Sequence, residues 1–159
     1  MHEESVCKTV LIVEDEQIIG DLIGEILRDE LHTRAYLALN GAQAMALIER
    51  LTPDLIILDY QLPDMHGLQL YDHFHARRNL AAVPTLVVSA NPPVGEIAQR
   101  HLPYLQKPFE LNELVSLAQQ LLRMYDPLRR SGHPDRQRGQ LAYGAHPCGP
   151  ISIKPCQRP

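Results

Sequence analysis

A chain of 159 residues with 45% hydrophobic residues and a net charge of −4 has room for one domain and a short extension. Residues 1–125 carry nine Lys and Arg against seventeen Asp and Glu, whereas residues 126–159 carry six against two. An acidic globular part argues against direct DNA binding by that part. No apolar run approaches the roughly 20 residues of a membrane span, and the N-terminus lacks a signal peptide's layout, so a cytoplasmic protein is expected.

Residues 1–7 are polar and expected to be disordered. Val10-Leu11-Ile12-Val13 then forms an apolar run that ends in Glu14-Asp15-Glu16. In residues 17–31, Ile18, Ile19, Leu22, Ile23, Ile26 and Leu27 fall at helical spacing, which predicts an amphipathic helix facing a sheet. Residues 32–39 alternate in part and read as an edge-like strand. Asn40-Gly41 reads as a turn or cap, and residues 42–51 as a short Ala-rich helix stopped before Pro53.

The next stretch organises the chain. Leu55-Ile56-Ile57-Leu58 is a continuous apolar run, as expected of a strand buried on both faces, and it delivers Asp59 to the strand's carboxyl end. Leu62-Pro63 and Gly67 give a rigid turn and a flexible exit into a helix over residues 68–78. His66, His73 and His75 lie on or near that helix, but positions 73 and 75 cannot share a helix face, so solvated side chains are expected rather than a metal site. Residues 84–88 form another strand, ending in Ser89-Ala90. Asn91-Pro92-Pro93-Val94-Gly95 interrupts regular structure, leaving residues 96–101 for at most a turn or two of helix. Tyr104-Leu105-Gln106 is the last strand, and Lys107-Pro108-Phe109 follows it. Residues 110–124 form the last helix, with Glu110 as N-cap, Glu113 three residues on, and an apolar face of Leu114, Val115, Leu117, Ala118, Leu121 and Leu122.

Strands and helices that alternate with short links predict an α/β, doubly wound, five-stranded parallel sheet with helices on both faces. Residues 126–159 are rich in Pro, Gly, Arg and His without apolar period, and a disordered tail is expected. His146, Cys148 and Cys156 lack the fourth ligand and the spacing of a zinc site, and the chain's three cysteines are too few and scattered for a disulfide framework.

An acid at a strand tip is common and by itself means little. If the strands are parallel, however, their carboxyl ends gather Glu14, Asp15, Asp59, the Ser89 hydroxyl and the Lys107 ammonium at the sheet edge where ligands bind in open α/β folds. Carboxylates packed this closely call for a hard cation, and an all-oxygen set with phosphate chemistry favours Mg²⁺ over Zn²⁺.

The set Glu14-Asp15, Asp59 with its D-x-x-L-P-x-x-x-G turn, Ser89-Ala90 and Lys107-Pro108-Phe109 resembles the receiver domain of two-component response regulators, over roughly residues 8–125. The resemblance implies a flavodoxin-like strand order of 2-1-3-4-5. It implies a phosphoprotein of the single-domain response regulator type, in which Asp59 takes a phosphoryl group from a histidine kinase or a histidine phosphotransfer protein. Asp15, Glu14, Asp59 and the backbone carbonyl of Gln61 would bind Mg²⁺, and Lys107 and Ser89 would contact phosphoryl oxygens. Ser89 and Tyr104 would form the switch. The Lys-Pro bond is cis in the family. Such a chain is not an enzyme beyond its own phosphorylation and dephosphorylation. It would act as a monomer or weak homodimer, through an unnamed downstream protein or as a phosphate sink in phosphorelay signal transduction.

Two other functions compete. A phosphorylation-independent pseudo-receiver is disfavoured by the intact set of site residues. A Mg²⁺ phosphohydrolase is disfavoured because Gln61 stands where such enzymes carry a second Asp. The chain departs from the family between Ser89 and Lys107, an interval several residues short of the usual one, so the fourth helix is expected to be short or absent.

Overall fold

The computed structural model describes residues 6–125. The expected disordered tail over residues 126–159, and most of the expected frayed start, lie outside the described residues. The chain runs β1 (Thr9–Val13), α1 (Gln17–Leu31), β2 (Arg34–Ala38), α2 (Gly41–Ile48), β3 (Leu55–Asp59), α3 (Gly67–His75), β4 (Thr85–Ser89), α4 (Val94–Gln99), β5 (Tyr104–Gln106) and α5 (Leu111–Met124). All strand pairs are parallel, in the order β2-β1-β3-β4-β5. No helix among the described residues is long and apolar enough to cross a membrane.

The two-residue period of a strand sorts the core into layers. Val10, Ile12, Leu55, Ile57, Leu86 and Val88 turn to one face, where they meet Ile23 and Leu27 of α1 and Leu114 and Ala118 of α5. Leu11, Val13, Ile56 and Leu58 turn to the other, against Ala44 and Ile48 of α2 and Leu70 and Phe74 of α3. Val87 belongs to a third, smaller cluster with Leu68 of α3 and Ile97 of α4, and Tyr60 and Leu102 pack on it. Every residue of β3 and β4 is buried, which is why both read as continuous apolar runs.

Helix α1 faces the sheet through Ile23 and Leu27 as expected, but two members of its apolar stripe do not join them. Ile18 is 84% exposed and Leu22 45% exposed, while Gly20 and Gly24 are buried. The reason is the close approach of Leu37 on β2. A Cβ at Gly20 would lie 2.9 Å from Leu37 Cδ2, so the sheet takes up the groove that the glycines leave. Asn40 caps α2 as expected: its side chain accepts a bond from Gln43 N at 2.8 Å, and Gln43 Oε1 accepts one from Leu39 N at 2.8 Å. In α5, the Glu113 carboxylate reaches back to Glu110 N at 3.4 Å.

The fourth helix is short, at six residues, and starts at Val94, so it includes Gly95 and opens directly after Pro93. Proline there takes the N-cap position, where its missing N–H costs nothing, and so precedes the helix without breaking it. Ile97 N bonds to Pro93 O at 3.0 Å. Past the C-terminus, His101 holds a left-handed backbone at φ 54. Arg100 then clasps α3: its Nε and a terminal nitrogen donate to the two Asp72 carboxylate oxygens at 2.9 and 2.7 Å.

Gly67 is needed for its size rather than for the flexibility expected of it. Its N–H bonds to Tyr60 O at 2.7 Å, and a Cβ would run into the carbonyl oxygen of Asp59 and lie 2.9 Å from Tyr60 Cα. Both obstacles are backbone and cannot swing away. Gly67→Ala should therefore lower the free energy of unfolding by about 1–3 kcal/mol, the usual range for overpacking, as read from denaturant melts. Gly95→Ala serves as the control: nothing lies within 4 Å of the new Cβ, and the exchange of α4 amides should slow.

Candidate functional site

Each functional group arrives at the carboxyl edge on its own strand. Glu14 follows β1 and is held by its own backbone N–H, which donates to Ala38 O on β2 at 3.0 Å. Asp59 ends β3, next to β1 in the sheet. Ser89 ends β4, one residue past Val88, the register partner of Asp59. Lys107 follows β5; its N–H bonds to Ser89 O at 2.8 Å, and the Lys107-Pro108 bond is cis.

The side chains converge. One carboxylate oxygen from each of Glu14, Asp15 and Asp59 lies within 4.8 Å of the others. Lys107 Nζ donates to Glu14 Oε2 at 2.8 Å and to Asp59 Oδ2 at 3.2 Å. The other Asp59 oxygen accepts from Gln61 N at 3.1 Å, and Glu14 Oε1 accepts from Glu16 N at 3.2 Å. Glu14 is 2% exposed and Asp59 is buried, while Asp15 is exposed and opens the cluster to solvent. Ser89 Oγ is buried and accepts from Asn91 N at 3.1 Å. Tyr104, opposite Val87 in the sheet, is 40% exposed.

Burial, reinforced by the Asp59 charge, pushes the Glu14 carboxyl up to about 7 against the pull of Lys107. Burial would lower the Lys107 ammonium, but its bond to Glu14 and the charges of Glu14 and Asp59 outweigh that and raise it. The site thus holds one cation against three acids. Its donors are all oxygens, the set a hard divalent cation prefers, and one acid faces solvent for its entry, so the residues present fit Mg²⁺.

Sequence reasoning missed the supports of this site. Asp64 accepts bonds from Gly41 N and Ala42 N, both at 2.9 Å, at the start of α2. Burial would raise this carboxyl, yet those backbone bonds, with others from its own and the Met65 N–H, hold it below the usual range. The His66 ring stacks on Tyr60 with centroids 5.2 Å apart, and Gln69 Oε1 accepts from His66 N at 3.1 Å. The Asp64 bonds join residues on different elements, and no local pattern marks them, whereas the Gln69 contact has the three-residue spacing of a capping box.

Without divalent cations, stability should depend on pH through Glu14. Its folded pKa, about 7, exceeds the ordinary 4.5, so the folded state binds more protons between those values. Stability should fall as pH rises through that window and change little above it from this group. Glu14→Gln should flatten the slope in urea melts taken at pH 5, 6 and 7.

The comparisons with known proteins agree with this geometry. The family model of the response regulator receiver domain matches residues 10–119. The Regulator of RpoS from Escherichia coli K12 is 37% identical over 99 residues, 62% of this chain and 28% of that protein. The sensory transduction protein RegX3 of Mycobacterium tuberculosis H37Rv is 30% identical over 149 residues, 91% of this chain and 60% of that protein. The chain therefore spans less than two thirds of these relatives. Among solved structures, the receiver domain of the sensor histidine kinase PA1611 from Pseudomonas aeruginosa PAO1 has a magnesium ion coordinated in its active site cleft. It superposes with a TM-score of 0.66 at 30% identity, covering 74% of this chain and 98% of that one. A CheY-like receiver domain protein from Methanospirillum hungatei JF-1, at 24% identity and a TM-score of 0.68, shares the fold over 74% of this chain and 95% of its own. A match that begins in β1 and ends in α5 takes in the whole sheet and its edge of acids, and the chain belongs to the response regulator receiver domain family.

Proposed function

We propose that this chain is a phosphoacceptor of the single-domain type, phosphorylated on Asp59 by a histidine kinase or a histidine phosphotransfer protein. The observation that carries the reading is the Lys107 ammonium, 2.8 Å from Glu14 and 3.2 Å from Asp59 inside a cluster of three acids. That arrangement suits phosphoryl transfer, where positioning and charge neutralisation do most of the work.

In the step, an Asp59 carboxylate oxygen attacks phosphorus and an O–P bond forms. The N–P bond of the donor phosphohistidine breaks, and its electron pair returns to the imidazole nitrogen. Glu14, Asp15, Asp59 and the Gln61 backbone carbonyl would hold Mg²⁺, which supplies positive charge to the carboxylates and the transferring phosphoryl oxygens. Lys107 leaves its bond to Asp59 for a phosphoryl oxygen and carries the new negative charge. Ser89 keeps its lone pair on Asn91 N and donates its hydroxyl proton to another phosphoryl oxygen. Gln61 N, already on Asp59 Oδ1, fixes the carboxylate plane so that the other oxygen faces the donor. The chain turns over no other substrate. Its output is a phosphorylation-dependent protein contact or the storage of a phosphoryl group in a cytoplasmic relay, with Ser89 and Tyr104 as the switch pair.

The test is acetyl phosphate with Mg²⁺, followed by intact-mass analysis. The wild type should gain one base-labile phosphoryl group, Asp59→Asn none on the same time course, and the wild type in EDTA none. Equal labelling of Asp59→Asn would overturn the assignment.

A further inference from the structure

We infer that Asp64 is a positioning residue for the metal end of this site, clamping the loop that carries Gln61 to the start of α2. The inference rests on the reading above, in which the Gln61 carbonyl is a metal ligand. The loop of residues 60–67 leaves the sheet at Asp59 and returns at Gly67, whose N–H bonds to Tyr60 O at 2.7 Å. Those ends fix where the loop starts and stops, while its middle needs a separate anchor. Asp64 supplies it with two charge-assisted bonds of 2.9 Å to consecutive N–H groups, Gly41 and Ala42, which have no partner inside their own helix. The helix dipole favours the same anion.

Met65 seats the anchor. A Cβ at Gly41 would lie 2.6 Å from Met65 Sδ, so the missing side chain of Gly41 makes the space in which Met65 lies. On the far side, the His66 ring stacks on Tyr60, and Gln69 accepts from His66 N. Asp64 and Met65 on one side and His66 on the other hold the loop crown between α2 and α3. Gln61 lies in that crown, three residues before Asp64, with its N–H on the Asp59 carboxylate and an isolated bridge to His66. Freeing the Asp64 end releases the segment that presents the Gln61 carbonyl and orients Asp59. Glu14, Asp15 and Lys107 stand on other elements and stay in place.

Asp64 also caps α2, so the test must separate positioning from plain stability. Asn40 provides the control, because its side chain caps the same helix through Gln43 N and, among the described residues, makes no side-chain hydrogen bond to the loop. Mg²⁺ affinity by calorimetry, on Mg²⁺ alone and without phosphodonor, is compared for the wild type, Asp64→Ala and Asn40→Ala. Asp64→Ala should bind about tenfold more weakly, in the range that outer-shell partners of metal ligands contribute. Asn40→Ala should stay within about twofold of wild type while losing comparable thermal stability. In the metal-free proteins, amides of residues 61–67 should exchange faster in Asp64→Ala and unchanged in Asn40→Ala. If Asp64→Ala does not fold, Asp64→Asn keeps one acceptor oxygen and should show an intermediate loss. Wild-type affinity in the Asp64 variants, or an equal loss in Asn40→Ala, overturns the inference alone. A wild type that does not bind Mg²⁺ overturns the metal reading on which it rests.

Discussion

Everything at the carboxyl edge depends on one ammonium serving two carboxylates. Lys107 Nζ bridges Glu14 and Asp59, which stand on neighbouring strands, and it reaches them from β5 across β4. Without that bridge, two buried acids would face each other in a low-dielectric pocket, and burying unpaired charge costs several kcal/mol per ion. One cation cannot balance three acids, and Glu14 absorbs the remainder by holding its proton to about pH 7. A divalent ion bound here would answer the same charge deficit as a proton on Glu14, so each would displace the other. The strand order matters for the same reason. Only with β1 beside β3 do the two acids meet, and only with β5 at the edge does its lysine extend over the end of β4.

The parts legible in the sequence were those encoded within a few residues of themselves. Strands β3 and β4 are buried on both faces, so their apolar runs are unbroken and their last residues stand out. The Asn40 cap and the Glu110–Glu113 contact use spacings of three residues, which a linear reading can find. Orientation was less legible. The helical period in α1 was right, but which side of that stripe meets the sheet depends on Leu37, a residue of the next strand that fills the space over Gly20. Thus Ile18 and Leu22 are exposed although Ile23 and Leu27 in the same pattern are buried.

The supports of the site were hidden for a related reason. Asp64 finds its partners 23 and 22 residues away in sequence, and the Arg100–Asp72 pair spans 28. Pro92-Pro93 misled in a different way. Two prolines in a row signal a break, and there is one, but a proline is equally at home just before a helix, so the helix began two residues earlier than read. Gly67 was recognised as a turn glycine, yet its reason is steric closeness to the backbone at Asp59 and not freedom of motion.

The third apolar cluster gives the domain two levels of cooperativity. Of α4, only Ile97 is buried, and it packs with Leu68 and Val87 apart from the two large clusters that hold the sheet. Withdrawing it exposes one aliphatic side chain, about 1.5–3 kcal/mol, and gives up the half-exposed Arg100–Asp72 ion pair. Leu102, which also packs on the second large cluster, is the apolar link to the rest of the core. With so few side chains holding it, the α4 segment is expected to open at a lower free energy than the sheet and its main helices. Substitutions at Ile97 or Arg100 would retune that local equilibrium while leaving the two large clusters intact, whereas Leu68 belongs to α3 and Val87 to β4, where a change in volume reaches the rest of the fold.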